Sequence, residues 1–304
     1  MKPTLLLSIL ISCCFHSFSQ NTDLSYKLEK GSDYKLSTTT NITINQEVNG
    51  QLMKMDMKLE SVLNFFIKDI QNEEYMLEVK YERLEMENTV RDQTMRYNSD
   101  SDNEYDLLSK TLSEMTENSF SCSMTKDGKM SYSSGFDDIL ENILDSLAGI
   151  SPNEKSQLEL QLKKAFGSEA FKKSIETALH IYPDSPVRLN ERWWIESTIG
   201  ADMITGRMEG DYILLEEGDE YYKINGNSWF RTNTDSTFNF FGMAARSDLE
   251  VEYATAIKVN KINGWIIQTH TEYSFEGEIM INPNAQLPDG MKIPFRMKAT
   301  MEIK

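Results

Sequence analysis

Residues 51–60 read QLMKMDMKLE and carry the clearest strand signature in the chain. Apolar and charged side chains alternate here with a period of two, which places the apolar ones on one face of a strand. The apolar members of the row are Met53, Met55, Met57 and Leu59. Because the charged side chains need water, we expect the methionine row to face inward. Methionine fills irregular gaps in a core and also suits surfaces that bind varied apolar partners, so packed core and ligand lining both stay open.

The same alternation extends along the chain on both sides of this row. It starts near Tyr34, reaches the pair Asn49-Gly50, which is typical of a two-residue hairpin turn, and returns at Tyr75. The last residues alternate as well, with Met297 and Met301 among the apolar members. A strand that continues almost to the final residue is expected to pair inside the sheet. Two further Asn-Gly pairs, at 225–226 and 263–264, predict two more hairpin turns.

The middle of the chain changes to a helical period. Apolar residues at helical spacing predict helices over about 105–115, 136–147 and 168–179, and a capping box at Ser151 predicts another over 151–166. Ser168 is expected to cap the helix that it begins. Between the first two helices, the Asp127-Gly128 pair predicts a short hairpin.

Strands, then helices, then strands indicate the α+β class. We expect strands over about 24–97, a helical insert over about 102–182, and strands over about 190–304. The helices need an apolar surface to pack against, and the inner face of the sheet offers one. The predicted architecture is a single domain over 20–304: a strongly curved, mainly antiparallel β-sheet, as a half-barrel or open barrel, packed around a central helical insert.

The N-terminal residues have the layout of a secretory signal peptide over 1–19, with a cation at Lys2 and an apolar run that follows it. Cleavage before Gln20 is favoured, and it predicts an exported protein that is periplasmic or secreted. A second route stays open, because the residues that end at Cys13 fit a lipobox. That route would acylate Cys13 and anchor the protein to a membrane.

The charge balance narrows the classes of partner. A formal net charge of −17 argues against nucleic acid and against anionic lipid surfaces, and it is compatible with basic or neutral partners. After cleavage at Gln20 only Cys122 remains, so the stability of the domain must come from its core. The oligomeric state is not determined by these features.

No motif in the sequence predicts catalysis, a metal site or a cofactor. His180 is expected at a helix end, His270 on the polar face of a strand, and Cys122 as a small packing residue. An EF-hand that starts at Asp100 fails, because Tyr105 and Thr111 stand where glycine and glutamate are required. We therefore predict a protein that is not an enzyme and holds no cofactor.

Aromatic residues form a further candidate feature. Trp193-Trp194 and Trp229-Phe230 could contribute to a platform for a sugar or a lipid. Because adjacent residues of a strand point to opposite faces, one of Trp193 and Trp194 is expected to point outward. Core packing is the expected role for most of these aromatic side chains.

Several stretches carry a resemblance to a known family. They are YKLEKGSDYKLS (26–37), MTKDGKMSYSSGFDDIL (124–140), AFGSEAFKKSI (165–175), YPDSPVRLNERWW (182–194) and IPFRMKATMEIK (293–304). On these stretches the chain resembles a family of exported Bacteroidetes proteins with a domain of unknown function. The resemblance implies export and assigns no catalytic residues. The architecture is also similar to periplasmic lipoprotein carriers with half-barrel folds.

The sequence thus predicts an exported cell-envelope module that binds a lipid or another apolar ligand without catalysis. Its predicted ligand-lining residues are Met53, Met55, Met57, Leu59, Met297 and Met301. The alternative is a structural or interaction protein that docks another envelope protein through a sheet edge or an aromatic patch.

Overall fold

In the computed structural model, thirteen strands of the described chain pair into one antiparallel sheet. The structure describes residues 21–48, 51–91, 93–101, 107–145, 151, 155–156, 159–160, 162–163, 167–201, 204–240 and 242–304. The strands are β1 (Asp33–Val48), β2 (Gln51–Gln71), β3 (Glu74–Val90), β4 (Gln93–Asn98), β5 (Ser119–Thr125), β6 (Met130–Ser134), β7 (Arg192–Ala201), β8 (Ile204–Glu217), β9 (Tyr221–Arg231), β10 (Phe238–Phe240), β11 (Met243–Asn260), β12 (Ile266–Ile281) and β13 (Met291–Ile303). The helices in the described part are α1 (Leu107–Glu117), α2 (Phe136–Asp145) and α3 (Ser168–Leu179).

The strand order is β6-β5-β3-β2-β1-β13-β12-β11-β9-β8-β7, with β4 beside β3 and β10 beside β11. The first and last strands therefore meet in the middle of the sheet, where Thr38 pairs with Ile303 and Gln46 with Phe295. This confirms that the final strand pairs inside the sheet. Helix α3 contacts both β6 and β7, the two ends of this order. The sheet is thus curled around the helix and remains open, which confirms the predicted α+β class and curved sheet.

The helices match the predicted positions where the structure describes them. Helices α1 and α2 occupy two of the expected ranges, and α2 buries its apolar stripe against the sheet. The start of α3 corrects the predicted cap: Gly167 is the N-cap, and Ser168 is the first helical residue. The backbone N–H of Ser168 donates to Asp137 Oδ1 over 3.5 Å, so the side chain that meets this helix start comes from α2. The helix expected over 151–166 lies largely outside the described residues, as do Asn49 and Gly50, although Val48 and Gln51 pair as that hairpin requires.

A first core fills one end of the curl. Its side chains come from the inner face of the sheet, from α2 and α3, and from the residues just before β1. Large side chains with almost no exposure in this core are Tyr26, Phe65, Leu77, Met124, Phe136 and Tyr182. The hydroxyl groups of the two tyrosines donate hydrogen bonds to backbone carbonyl oxygens. Tyr26 donates to Leu179 O over 3.0 Å, and Tyr182 donates to Gly264 O.

The segment before β1 crosses this end of the sheet. Thr22 pairs with Val187, and the Tyr26 N–H donates to Lys126 O in the β5–β6 turn over 2.8 Å. The Lys27 N–H donates to Asn263 O in the β11–β12 turn, also over 2.8 Å. Residues expected as a strand from about 24 therefore tie two turns together, and the sheet itself starts at Asp33.

A second core lies further along the inner face of the later strands. It contains Leu249 and Val251 from β11, Phe275 and Ile279 from β12, and Phe295 from β13. The side chains that point to the same side near the other ends of β11 and β13, Ile257 and Ile303 among them, belong to the first core.

One of the two predicted Asn-Gly turns is wrong. Asn225-Gly226 lies inside β9, where Gly226 pairs with Tyr212 and Thr255. A Cβ added at Gly226 would lie 2.5 Å from Tyr212 Cε1, so this glycine makes room for a buried aromatic ring. Asn263-Gly264 does form a turn, and Gly264 has the positive φ of 72° that glycine tolerates.

Candidate functional site

The inner side of β2 changes its burial along its length. Leu63, Phe65 and Ile67 are at most 3% exposed. Toward the start of the strand the same face carries the predicted methionine row, where Met55, Met57 and Leu59 are half-buried and Met53 is 37% exposed. The pairing of β2 with β1 is continuous, so both parts of the row point to the same face. The register with β3 shifts between Val62 and Leu63, which is where the fully buried part of the row begins.

Neighbouring strands extend this half-buried surface. Ile42 of β1 stands between Met57 and Ala299, and Ile44 stands between Met55 and Met297. We define the methionine face by its members, which are Ile42, Ile44, Met53, Met55, Met57, Leu59, Met86, Val90, Met297 and Met301. The structure therefore brings the two predicted groups, from β2 and from β13, to one face with a single strand between them.

The two groups differ in what they contact. Met297 packs against the second core and Met301 against the first. As far as the described residues define the two cores, neither includes Met53, Met55, Met57 or Leu59. The β2 row is thus an apolar surface beside the cores rather than a part of them.

A polar atom accompanies this apolar surface. Asn88 of β3 pairs with Met57, so its side chain points to the same face. Its Oδ1 is buried and has no hydrogen-bond partner among the described residues. A buried acceptor without a donor is unfavourable, and a ligand that carries one hydroxyl or N–H group could satisfy it.

A layer of hydroxyl groups lies on the inner face between the two cores. Thr255 Oγ1 and Thr271 Oγ1 are 2.8 Å apart, and the Tyr253 hydroxyl bonds to this pair. Burial raises the pKa values of Tyr212 and Tyr253, which therefore stay protonated at neutral pH. This part of the interior is polar and uncharged.

The outer face of the later strands carries a second feature, a groove of about 880 Å³. It contains the exposed indoles of Trp194 and Trp229, which are 68% and 58% exposed. Trp193, by contrast, is 6% exposed and belongs to the first core. The expectation that one residue of the Trp193-Trp194 pair points outward is confirmed.

Acidic residues surround the two tryptophans of the groove. Glu252 is the cross-strand partner of Trp229, and Asp211 is the partner of Trp194. Glu209 lies one residue beyond the Gly210–Ser228 pair of β8 and β9. Asp211 forms an ion pair with Arg192, and its Oδ1 is buried without a partner among the described residues. On β12, toward the far end of the groove from Trp194, Glu272 Oε1 lies 3.3 Å from His270 Nε2 and forms an ion pair with that ring when it is protonated.

The remaining residues singled out in the sequence have structural surroundings. His180 is the C-cap of α3, and its Nε2 lies 3.0 Å from Asp127 Oδ2 in the β5–β6 turn. Burial raises the pKa of Asp127, but hydrogen bonds from His180 and Thr125 outweigh it and lower the pKa to about 2. Cys122 is buried in the first core, and burial raises the pKa of its thiol to about 12, so it is a thiol and not a thiolate at neutral pH.

In the described part of the chain, no three His, Cys, Asp or Glu side chains come together as a metal ion would require. The helices of that part are too short or too polar to cross a membrane. Cys13 and the predicted signal peptide over 1–19 lie outside the described residues.

The fold and its two surfaces define a protein with a large, curled, open antiparallel sheet, an apolar inner face and an acidic, aromatic outer groove. The chain belongs to DUF6263, a family of unknown function whose model matches residues 72–266. This match confirms the predicted resemblance to a family of unknown function. No curated protein matches the sequence.

Among solved structures, a lipovitellin studied for lipid–protein interactions is similar with a TM-score of 0.43 and 9% identity. That match covers 91% of this chain, which spans only a quarter (25%) of the lipovitellin chain. An outer membrane channel from Pseudomonas putida F1 is similar with a TM-score of 0.20 and 7% identity, over 92% of this chain and 97% of the channel. Both TM-scores are below 0.5, so neither similarity establishes a shared fold.

Sequence reasoning did not find the groove as a unit. Trp194 and Trp229 were aromatic candidates, but the acidic residues beside them come from β8 and β11, and the register that brings these strands together is a property of the folded sheet. The alternation of single outward residues was the available signal, and it does not say which strands are neighbours.

Proposed function

We propose that this protein is an exported, non-enzymatic module of the cell envelope that holds an apolar ligand, such as a lipid acyl chain, against the methionine face. One observation carries the proposal. Toward the N-terminal end of β2, the inner face of the strand stays apolar although its side chains are no longer fully buried. Phe65 has no exposed surface, whereas Met55 and Met57 on the same face are half-buried and belong to neither core.

The position of the face favours a small flexible ligand over a folded partner. The face is on the inner side of a curled sheet, and most of its residues are already half-buried without any ligand. Because the face points into the curl of the sheet, a flexible chain can reach it more readily than the surface of a folded protein can. Burial of the apolar surface by a ligand contributes about 25 cal/mol of favourable free energy per Å². The flexible thioether side chains can adapt to acyl chains of different shape.

Export is part of the proposal and rests on the residues that precede the described chain. The signal-peptide pattern over 1–19 supports a periplasmic or secreted protein, and acylation of Cys13 is the alternative processing route. The mass of the mature N-terminus, measured on protein from its own envelope, would distinguish cleavage before Gln20 from acylation of Cys13.

Native mass spectrometry tests the ligand. The mature protein is purified from its own envelope without harsh detergent, and we expect excess mass that is released on denaturation and identified as lipid. A fluorescent fatty acid then serves as the probe for variants. The double substitution Met55→Gln and Met57→Gln keeps the length of the side chains and should weaken probe binding about tenfold, which corresponds to about 1.4 kcal/mol.

Leu52→Gln is the matched control, because Leu52 is on the same strand, points to the opposite face and is 72% exposed. It should leave probe binding unchanged. A clean apo mass together with no binding of the fatty acid would refute the proposal. Equal binding by the wild type and the double variant would refute the assigned face, and co-purification of a protein instead of a lipid would favour the docking alternative.

A further inference from the structure

The groove on the outer face is long in one direction and narrow in the other. Its lining comes from six strands, β7, β8, β9, β11, β12 and β13. The outward side chains of this lining lie in two rows across the strands, and the row that contains Glu252 ends at the cation Lys298 of β13. Five strand-to-strand steps of about 4.8 Å give a length of about 24 Å, and the two rows are about 7 Å apart along the strands. Such a groove fits an extended chain of about seven residues, at about 3.3 Å each, better than a compact molecule.

The first row places a tryptophan between two carboxylates. Trp229 of β9 pairs with Glu252 of β11, and Glu209 of β8 lies one residue beyond the Gly210–Ser228 pair and lines the same groove. Among the described residues, neither Glu209 nor Glu252 has a side-chain hydrogen bond or an ion pair, although charged side chains elsewhere on this sheet are paired extensively. The exposed indole between them presents an electron-rich face.

In the second row, the carboxylate of Asp211 is already paired with a cation, and the row supplies further polar groups. Trp194 is beside Asp211, whose charge is already balanced by Arg192. Asn227 and the small Ala254 follow along the row, and Ala254 leaves the middle of the groove open. The buried Asp211 Oδ1 has no donor among the described residues, so the groove offers an acceptor to an incoming N–H group.

We propose that this groove binds an extended peptide segment that carries lysine or arginine, with one cationic side chain over the Trp229 indole between Glu209 and Glu252. An ammonium or guanidinium group above an indole gains cation–π energy, and the two carboxylates add direct charge attraction. A neutral saccharide could stack on the same indole but would leave both carboxylates uncompensated. The net charge of −17 also attracts a basic segment over longer distances.

The groove is on the face of the sheet opposite the methionine face, so binding of a basic segment there is independent of the proposed apolar ligand.

Titration calorimetry and tryptophan fluorescence test it on the mature protein. The probes are a capped heptapeptide of alternating lysine and alanine, the same peptide with glutamate in place of lysine, and maltoheptaose as a neutral chain. We expect the lysine peptide to bind, the other two to bind at least about tenfold more weakly, and the affinity of the lysine peptide to fall with added salt.

Variants locate the cation. Trp229→Ala should weaken the lysine peptide about fivefold, which corresponds to a cation–π energy of about 1 kcal/mol, and Trp194→Ala should have a smaller effect. Glu252→Gln should weaken binding, whereas Glu250→Gln is its matched control. Glu250 is two residues away on the same strand, carries the same charge and faces outward beside Arg231, outside the groove.

Several results would overturn the proposal. They are no binding of the lysine peptide below about 1 mM, equal or tighter binding of the glutamate peptide or of maltoheptaose, and equal losses from Glu252→Gln and Glu250→Gln. Because Trp229 is 58% exposed, its substitution should not unfold the protein, and circular dichroism of each variant checks this.

Discussion

The two halves of β2 have the same alternating pattern and different surroundings. The C-terminal half places Leu63, Phe65 and Ile67 in the first core. The N-terminal half places Met55 and Met57 on the methionine face, where both are half-buried. The difference teaches that a period of two assigns a face to each side chain but does not assign a depth, because depth depends on which other elements cover the strand.

The cover on the C-terminal half consists of aromatic residues from distant parts of the chain. The rings of Phe65 and Trp265 have centroids 5.4 Å apart, and the Tyr26 ring also packs against Trp265, with centroids 5.8 Å apart. The Trp265 Nε1–H donates to Lys35 O over 2.9 Å, which holds the indole over the sheet. The described residues place no comparable cluster over Met55 and Met57.

The largest expected effect on the free energy of unfolding comes from a substitution in the C-terminal half of β2, which the aromatic residues cover. Phe65→Ala removes a side chain with no exposed surface from a closely packed aromatic cluster, and it should lower the free energy of unfolding by about 3–5 kcal/mol. Denaturant unfolding of the variant and the wild type measures the change. A loss below about 1 kcal/mol would contradict the difference between the two halves of β2.

Alkaline pH should also destabilise the protein through Tyr26, which belongs to the aromatic cluster over the C-terminal half of β2. Burial and the nearby charge of Asp127 raise the pKa of Tyr26 well above its ordinary value of 10.0, so the unfolded chain loses this proton first. The contribution of Tyr26 to stability is therefore complete below pH 10 and declines above it, by about 1.4 kcal/mol at pH 11.

Tyr26→Phe isolates this effect. At pH 8 the variant should be about 1 kcal/mol less stable, because the hydrogen bond to Leu179 O is lost. The gap should shrink or reverse by pH 11, since only the wild type still carries the ionisable group. Urea midpoints from pH 8 to pH 11 measure it, and a constant gap would show that Tyr26 titrates normally in the folded protein.

A smaller effect is expected on the methionine face. Met57→Ala removes a half-buried side chain that belongs to neither core, and it should cost about 1 kcal/mol or less in the absence of ligand. The same denaturant measurement applies. A cost as large as that of Phe65→Ala would mean that the methionine row is an ordinary packed core, which would remove the basis of the proposed function.

The smallest effect is expected on the outer side of the same strand. Leu52→Ser changes a side chain that is 72% exposed and should alter the free energy of unfolding by no more than about 0.5 kcal/mol. Thermal unfolding is sufficient to compare it with the wild type. A larger loss would indicate that the outer face at this end is covered in solution.

Much of the fold was predictable because alternation and helical spacing are local properties. The period of two predicted that one of Trp193 and Trp194 points outward, and the helical spacing located α1 and α2 within a few residues. The tetrapeptide Lys-Ile-Asn-Gly shows where local reasoning stops. At 261–264 it ends in a turn, and at 223–226 it lies inside β9, since the Tyr212 ring fills the space beside Gly226.

The candidate sites divide in the same way. The chain alone identified the apolar row Met53–Leu59 and the aromatic pairs Trp193-Trp194 and Trp229-Phe230, because each depends only on neighbours in sequence. The folded sheet alone placed β1 between Met57 and Ala299, left the row outside both cores, and set Glu209 and Glu252 on either side of Trp229. Strand order and coverage arise from contacts between residues far apart in the chain, and such contacts have no local signature in the sequence.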